Sequence, residues 1–412
     1  MKKILRFLTQ RVVLTALLIL IQALLLFGII WKLNNYFIYF YAFSVLLSLL
    51  LTLRIINNKS NPAFKIAWLI PILLFPVLGG LVYLVFGSDR TGKYIRNKMG
   101  RIEKEMQDGI SKANERSGIE KMPPDVVNQS HYISNSAHCP PYKNTTVEYL
   151  PMGEVKFERM VQELKKAKRY IFMEYFIIQE GTMWNTILDV LEEKAKEGVD
   201  VRVIYDDMGC ILTLPTGYEK TLREKGIQCQ IFNPFIPILS SHFNTRDHRK
   251  ICVIDGNVGF TGGINLADEY INGYEKHGHW KDTAILLKGE AVFSLTTMFL
   301  SMWDYLIKKE GEDYAAYYPD SWDENAQGIV QPFADNPLDD EAVGETVYLN
   351  LINKAKRYVY ITTPYLILSN EMVTAMNTAA KSGVDVRIIT PHVPDKWYVH
   401  AVSRSYYEML VE

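Results

Sequence analysis

One short stretch of the chain, DHRKICVIDGNVGFTGGIN, carries the residues best suited to chemistry. His248 and Lys250 are two residues apart, and Asp255 follows five residues after the lysine. Two glycines, 262 and 263, and then Asn265 complete the pattern. An imidazole beside an ammonium group suits a phosphodiester substrate. The lysine offsets phosphoryl charge, while the imidazole attacks phosphorus or transfers a proton.

The alternation of apolar and polar residues predicts a β-hairpin around this pattern. Residues 248–254 alternate as a strand does, Asp255 and Gly256 form a turn signal, and residues 258–261 return as the partner strand. The alternative is an amphipathic hairpin whose His, Lys and Asp are surface residues. H-x-K-x4-D alone arises by chance in roughly a few chains per hundred, so the residues beyond it strengthen the functional interpretation.

Positions i and i+2 of a strand face the same side, so His248 and Lys250 are predicted to project together. Arg249 lies between them, and it should point to the opposite face, where we assign it no chemistry. Gly262 and Gly263 would let the backbone approach a ligand closely, with the Asn265 amide just beyond them.

An internal repeat supplies the elements that would position the motif. KAKRYIFMEYFIIQ, which begins at Lys166, is similar to KAKRYVYITTPYLIL, which begins at Lys354. KEGVDVRVIYDD and KSGVDVRIITPH follow in the same order, with Gly198 and Gly383 in corresponding positions 185 residues apart. Each copy alternates helices with apolar strands. The sequence therefore predicts a pseudo-twofold repeat of a mixed-sheet α/β sandwich.

Residues 1–88 are predicted to form a membrane region. The first two apolar segments are long enough to cross a hydrocarbon core of about 30 Å. The third is interrupted by prolines and has basic residues on both sides, which favours a re-entrant or interfacial hairpin over a third full span. The N-terminus and the catalytic part would then be cytoplasmic. The three segments are 12–31, 36–53 and 66–86.

The remaining boundaries follow from composition and from the repeat. Residues 89–144 form a basic linker with a short amphipathic helix near 94–108, either touching anionic headgroups or acting as a solvated tether. Residues 145–330 form the first repeat with the motif, and residues 331–412 form an incomplete second repeat.

A net charge of −1 argues against a nucleic-acid partner. The four cysteines form no CxxC pair, so neither a zinc knuckle nor a redox motif is indicated.

The motif with its G-G-x-N extension resembles the signature of the phospholipase D superfamily. NPAFKIAWLIPILLFPVLGGLVYLVFG, EYFIIQEG and GHWKDT resemble bacterial cardiolipin synthases, and the resemblance covers nearly the whole chain. It implies a multi-pass protein of the bacterial cell membrane that acts on phosphatidylglycerol among anionic membrane lipids. Such an enzyme transfers a phosphatidyl group from one phosphatidylglycerol to another, releasing glycerol, through a phosphohistidine intermediate and with neither a metal nor another cofactor.

The same resemblance implies a role for each motif residue. His248 would be the nucleophile, or the acid and base that partners it. Lys250 would bind phosphate oxygens, and Asn265 would donate a hydrogen bond to one of them. Asp255 would orient and support the histidine network rather than react. Residues alone leave open which histidine attacks.

Superfamily members carry the motif twice, and the two copies meet at the pseudo-twofold axis. The repeat offset places the second histidine 185 residues after His248, beyond Glu412. His392 and His400 do not substitute, because no lysine lies two residues after either one. We expect the 412-residue sequence to be a piece of a longer synthase. The alternative is a short protein whose site is completed by a homodimer or by a full-length relative.

Two other groups of residues were candidates for chemistry. His277, His279 and Asp282 could be interpreted as metal ligands, but no further ligands lie at suitable spacing. The resemblance of GHWKDT implies instead a loop packed near the phosphate site, and a simple structural role suits these residues better still. Glu174 could face the site, although a core or edge position suits it at least as well.

Two other functions stay open: a phospholipase D-type phosphodiesterase using water, and a non-catalytic or dimer-completed membrane protein.

Overall fold

The computed structural model of the chain describes residues 11–32, 37–58, 61–87, 118–235, 245–309, 312–335 and 341–411, with isolated positions between 100 and 110. The linker helix predicted near 94–108 lies largely outside the described residues. The chain divides into two units, which are treated separately below. One contains Met1–Ile95 and Asn233–Arg246, and the other contains Arg96–Phe232 and Asp247–Glu412.

The first unit contains helices formed by the apolar segments. They are α1 (Arg11–Lys32), α2 (Phe37–Ile56), α3 (Pro62–Leu74) and α4 (Pro76–Phe86). The segment predicted as one run, 66–86, is divided between two helices at Phe75. Pro76 has no backbone N–H to continue α3, and its fixed φ suits the first turn of a new helix.

Helices α2, α3 and α4 pack against one another within this unit. The Ser48 hydroxyl donates to the Pro76 carbonyl at 2.9 Å, and Leu51 and Ile72 are buried. Gly79 allows α4 to turn back on α3, because a Cβ there would lie 2.1 Å from the Pro71 carbonyl oxygen. The two helices of this segment therefore form a helical hairpin, and a re-entrant or interfacial position for it stays a prediction.

Across the residues that the structure describes, no helix combines the length and the apolar character needed to span a membrane.

The second unit is built on a mixed seven-stranded sheet with the order β1-β7-β6-β5-β2-β3-β4. Strands β2, β3 and β4 are parallel, and the remaining neighbours pair antiparallel. The seam between the two halves is therefore the pairing of β2 with β5. The strands are β1 (Thr145–Leu150), β2 (Tyr170–Tyr175), β3 (Asp200–Asp206), β4 (Gln228–Phe232), β5 (Ile251–Ile254), β6 (Val258–Gly262) and β7 (Ala284–Gly289).

Helices cover both faces of this sheet, which explains why every residue of β2 is buried. Ile171 and Met173 face α6 and α7, whereas Phe172 stacks on Phe299 of α10 with ring centroids 4.8 Å apart. The helices are α5 (Pro124–Ser136), α6 (Gly153–Leu164), α7 (Thr182–Lys196), α8 (Asp207–Cys210), α9 (Tyr218–Glu224) and α10 (Val292–Ile307).

The second copy of the repeated sequence forms the same helix–strand–helix–strand unit. Its parallel strands pair Tyr358 with Asp385, as the first copy pairs Tyr170 with Asp200. The sequence repeat is therefore a repeat of structure. Its elements are α11 (Val343–Lys354), β8 (Tyr358–Thr362), α12 (Asn370–Lys381), β9 (Asp385–Ile389), α13 (Trp397–Ser405) and α14 (Tyr407–Val411).

The predicted hairpin of the motif is present, but its first strand begins later than predicted. Strand β5 begins at Ile251 rather than His248, because the preceding backbone bonds elsewhere: the Asp247 amide donates to the Asp206 carboxylate at 3.0 Å. Ile254 pairs with Val258 across the turn. Asp255 and Gly256 both have left-handed backbone, with φ of 54° and 73°, which is the geometry that this turn requires.

We predict that Asp255→Ala destabilises the protein by about 2–3 kcal/mol, because its carboxylate accepts hydrogen bonds from three backbone amides. These are the amides of Lys168, Arg169 and Tyr170, at 2.9, 2.7 and 3.0 Å. Asp255→Asn, which tolerates the left-handed backbone and keeps one acceptor oxygen, should lose less. Urea unfolding measures the difference, with the exposed Asp189→Ala as control. An unchanged free energy of unfolding in Asp255→Ala would contradict the prediction.

Candidate active site

His248 and Lys250 lie together against one aromatic ring. The His248 ring centroid is 4.7 Å from that of Phe176, and the Lys250 ammonium is 5.5 Å from the same ring centroid. Lys250 also donates to the His248 carbonyl at 2.5 Å. The predicted common orientation of these two side chains is confirmed, although both precede the strand.

The surroundings of His248 keep its imidazole neutral. Desolvation and the ammonium groups of Lys250 and Lys396 lower its pKa to about 4, against the opposing effect of Asp247. A neutral imidazole has a free lone pair at physiological pH, as a nucleophile or a general base requires. Lys396 belongs to the second repeat, so both repeats act on this histidine.

Lys250 is buried beside the imidazole. Desolvation lowers its pKa to about 8, while the nearby carboxylates of Asp247, Asp282 and Asp206 oppose the shift. Its ammonium group is therefore mainly charged at neutral pH. A buried cation next to a neutral imidazole can bind a phosphoryl oxygen while the imidazole reacts.

The two glycines of the motif accommodate a neighbouring segment of the protein. Gly263 donates its amide to the Thr283 carbonyl at 3.1 Å. A Cβ on Gly262 would lie 2.5 Å from that carbonyl oxygen, and one on Gly263 would lie 2.2 Å from an Asp282 carboxylate oxygen. We predicted close approach to a ligand. The structure instead shows close approach to the segment GHWKDT, whose Asp282 acts on Lys250.

Asn265 is buried, and both ends of its amide have protein partners. Its carbonyl accepts from the Ile177 amide at 3.0 Å, and its amide nitrogen donates to the Tyr270 hydroxyl at 2.8 Å. These bonds join the glycine loop, which we define as residues 262–265, to the chain that follows β2. Phosphate binding by Asn265 stays a prediction.

Asp255 does not lie where a direct partner of the histidine would be. It is at the far end of β5, seven residues from His248, which corresponds to roughly 20 Å of extended chain. Its carboxylate binds the backbone at the start of β2. The structure shows this carboxylate holding the hairpin turn, and support of the histidine network by Asp255 stays a prediction.

A buried ionic cluster lies behind the motif, on the opposite face from His248. The Arg249 guanidinium is 2.5 Å from a Glu174 carboxylate oxygen and 3.2 Å from one of Asp247. The predicted orientation of Arg249 is confirmed, but sequence reasoning missed its partners. Glu174 is fully buried here rather than facing the imidazole, and its structural equivalent in the second repeat is Thr362.

This cluster holds two carboxyl groups and one guanidinium, so one carboxyl group retains a proton. Burial raises the pKa of Glu174 well above its usual value, and Arg249 offsets this only in part. Burial also acts to raise the pKa of Asp247, but Arg249 outweighs it and the net pKa is lowered. Glu174 is therefore the protonated partner and Asp247 the ionised one.

Asp206 connects the cluster to the parallel half of the sheet. One of its carboxylate oxygens caps α8 by accepting from the amides of Met208 and Gly209, at 2.8 and 3.1 Å. The other accepts from the Asp247 amide. This contact positions the residue that immediately precedes His248. An aspartate at the end of a strand, ahead of a helix, was the signal in the sequence that could have revealed it.

Lys156 of α6 is a further buried cation that sequence reasoning missed. Its ammonium donates to the Ile264 carbonyl in the glycine loop at 2.8 Å, and it lies 4.9 Å from the Tyr175 ring centroid. Desolvation lowers its pKa to about 7. Lys250 adds to this effect, while Cys252 and Asp282 oppose it.

A cavity of about 700 Å³ is lined by the segment GHWKDT, which contacts the glycine loop through Asp282 and Thr283. Residues of both repeats line this cavity. The first repeat contributes the segment GHWKDT, and the second contributes the ends of β8 and β9. Within the described ranges, no three His, Cys, Asp or Glu residues are grouped to hold a metal ion. The lining includes His277, His279, Asp282, Thr363, His392 and Asp395.

Comparison with known families identifies the chain. A family model described as "Cardiolipin synthase, PLD-like domain" matches residues 160–303 and 348–412. A second, described as "Phospholipase_D-nuclease N-terminal", matches residues 46–88. The chain belongs to the cardiolipin synthase family. Its second unit thus has the mixed α/β fold of phospholipase D-like proteins.

Two individual proteins and one solved structure illustrate what this chain is similar to. A cardiolipin synthase of Geobacillus thermodenitrificans is 36% identical over 379 residues, covering 90% of this chain and 74% of that protein. An uncharacterized protein of Streptococcus mutans is 45% identical over 365 residues, covering 87% and 78%. The crystal structure of phosphatidylserine synthase from Haemophilus influenzae matches with a TM-score of 0.44 and 14% identity, over 64% of this chain and 66% of that one.

We predict that Arg249→Met lowers the free energy of unfolding by about 3–5 kcal/mol, because it leaves the ionised Asp247 buried without its partner. Glu174→Gln is the matched control. It replaces a neutral carboxyl group by a neutral amide of similar shape, and we expect a change of about 1 kcal/mol or less. Denaturant unfolding of both variants measures the difference. Equal losses in the two would refute this assignment of the proton.

We predict that the His248 imidazole is still neutral at pH 5.5, where a histidine with the ordinary pKa of about 6.5 is protonated. Lys396→Met should raise the pKa of His248, because it removes one of the ammonium groups that disfavour imidazolium. NMR titration of the ring carbon resonances measures both effects, with the exposed Lys381→Met as control. A wild-type midpoint near the ordinary value would contradict the prediction.

Proposed function

We propose that His248 is the nucleophile of a phosphatidyl transfer that makes cardiolipin and glycerol from two molecules of phosphatidylglycerol. The observation that carries this proposal is the neutral imidazole of His248 held beside the buried ammonium of Lys250. Membership of the cardiolipin synthase family supports it independently.

The transfer takes two displacements at phosphorus. An imidazole nitrogen of His248 attacks the phosphodiester, the bond from phosphorus to the glycerol headgroup breaks, and the departing oxygen takes a proton. The headgroup hydroxyl of a second phosphatidylglycerol then attacks the phosphohistidine and gives up its proton, which restores the free imidazole. The reaction releases one glycerol and consumes no water.

A second group must donate and then accept that proton. In the family this is a second histidine of the same motif, and H-x-K-x4-D occurs once in residues 1–412. We propose that a second copy of the motif supplies this group. It would act beside His248, on the side where Lys396 of the second repeat lies.

The other motif residues have supporting roles in this proposal. Lys250 neutralises phosphoryl oxygens as charge develops on them. Asn265 holds the glycine loop and offers its amide to the same oxygens. Asp255 acts at a distance, by holding the hairpin that carries His248. Gly262 and Gly263 have no side chains, which allows Asp282 to lie close to Lys156 and Lys250.

We also propose that the N-terminal unit associates with the bacterial cell membrane as a multi-pass region, with the catalytic part in the cytoplasm. Large apolar side chains on its helices are well exposed, among them Trp31 at 73%, Ile38 at 74% and Leu74 at 67%. Exposed apolar surface of this extent indicates an apolar environment rather than water. The turn between α3 and α4 suits a re-entrant or interfacial hairpin.

We predict that His248→Ala lowers the rate of cardiolipin formation roughly 1,000-fold or more, because no other group restores a lost nucleophile. The assay uses full-length protein in phosphatidylglycerol vesicles and quantifies cardiolipin, glycerol and phosphatidic acid. The exposed His131→Ala is the control. Phosphatidic acid as the main product would show a hydrolase, and an unchanged rate in His248→Ala would show that the nucleophile lies elsewhere.

A further inference from the structure

We propose that Lys156 is a second cation of the phosphate site, and that it takes up a proton when a phosphodiester anion binds beside the glycine loop. This inference rests on the proposed function, because it assumes that the substrate phosphate binds next to Lys250. It adds a residue far from the motif in sequence, and it makes binding of the substrate dependent on pH.

The position of Lys156 is the first argument. It has no exposed surface, yet a lysine is almost never fully buried unless it is paired. Its hydrogen-bond acceptor is the carbonyl of Ile264, inside the glycine loop. The ammonium group is therefore fixed directly behind the backbone that we place next to the phosphate.

Charge balance is the second argument. Lys156 and Lys250 are both buried, and among the residues described here neither forms an ion pair with a carboxylate. Two unpaired ammonium groups so near each other are unfavourable in a desolvated site. A neutral amine at Lys156 relieves this in the free protein, and an incoming anion relieves it in the complex.

The charged and titratable groups around Lys156 lie on two sides of its ammonium group. Cys252 of β5 and Tyr175 of β2 lie towards the sheet, whereas Asp282 and Lys250 lie towards the loop and the site. Asp282 supplies the one carboxylate among these neighbours, and it also acts on Lys250. Asp247 and Asp206 also act on Lys250, but they are not among the groups that act on Lys156. A bound phosphodiester would therefore add negative charge beside Lys156, whose one carboxylate neighbour is shared with Lys250.

The internal repeat argues against a purely architectural role. The match of Lys166 with Lys354 places Gly344 of α11 at the position equivalent to Lys156 of α6. The same helix is thus built in the second repeat without a buried lysine. Lys156 is a feature of the repeat that carries His248, where a phosphate would lie.

The proton balance is simple. Solvent supplies one proton to the Nζ lone pair of Lys156, and no bond to phosphorus forms or breaks in this step. The pKa of Lys156 in the free protein, about 7, leaves the amine mostly unprotonated slightly above neutral pH. An adjacent anion raises that pKa, so binding at pH 7.5–8 should take up more than about half a proton at this residue.

The experiment measures proton uptake on binding of glycerophosphoglycerol, the deacylated form of phosphatidylglycerol. Its phosphodiester stays a monoanion between pH 6 and 9, so it contributes no protons of its own. Every protein in the series also carries His248→Ala, so that the diester is bound and not cleaved. Calorimetric titrations in buffers of different ionisation enthalpy give the number of protons taken up.

Lys156→Gln is the decisive variant, because glutamine keeps a donor for the Ile264 carbonyl but carries no charge. We expect proton uptake at pH 7.5 to fall by more than half and affinity to fall several-fold. Lys165→Gln makes the same charge change at an exposed residue just after α6, and we expect it to match the parent protein. Uptake that is unchanged in Lys156→Gln would overturn the proposal.

A second measurement guards against misfolding of the variant. The side-chain carbon resonances of Lys156 in the His248→Ala protein, with every other residue unaltered, report its protonation directly, free and bound to the diester. A midpoint that does not rise on binding would overturn the inference. Cardiolipin formation without this shift would leave the proposed function standing and remove only the role of Lys156. No binding of the diester to any protein in the series would remove both.

Discussion

The pairing of β2 with β5 is the constraint on which the rest of the site depends. It is the seam between the parallel and antiparallel halves of the sheet, and it is secured at one end by the partly exposed Asp255 carboxylate and at the other by a buried ionic cluster. At one end, Asp255 accepts hydrogen bonds from the amides that begin β2. At the other end, Arg249 joins Glu174 to Asp247. The segment between these two anchors cannot slip in register without leaving a buried charge unpaired.

This arrangement separates the support of the motif from its chemistry. Alternate residues of one short segment face opposite sides of the sheet. Arg249 points into the ionic cluster, while His248 and Lys250 lie against the Phe176 ring. On the supporting side, the ionic cluster is buried, and the positive charge of Arg249 balances the negative charge of Asp247. On the chemical side, the ammonium groups of Lys250 and Lys156 are buried without an ion pair among the described residues, and a phosphodiester anion would stabilise them.

The two repeats share a fold but differ in chemistry. Their parallel strands have the same register, yet Thr362 stands where the first repeat has Glu174, and Gly344 stands where it has Lys156. The second repeat acts on His248 through Lys396, and it lines the cavity with residues at the ends of β8 and β9. The two repeats thus keep the same strand register while carrying different polar side chains.

The sequence by itself determined the repeat, the helices of the N-terminal unit, the hairpin of the motif and the common orientation of His248 and Lys250. Each of these follows from local periodicity and turn chemistry, which act over a few residues. Only the tertiary structure decided what Asp255, Glu174, Gly263 and Lys156 do. Their partners lie between 19 and 108 residues away along the chain. Burial sets the protonation of such groups, and no pattern of neighbouring residues reveals which distant charge or carbonyl will be enclosed beside them.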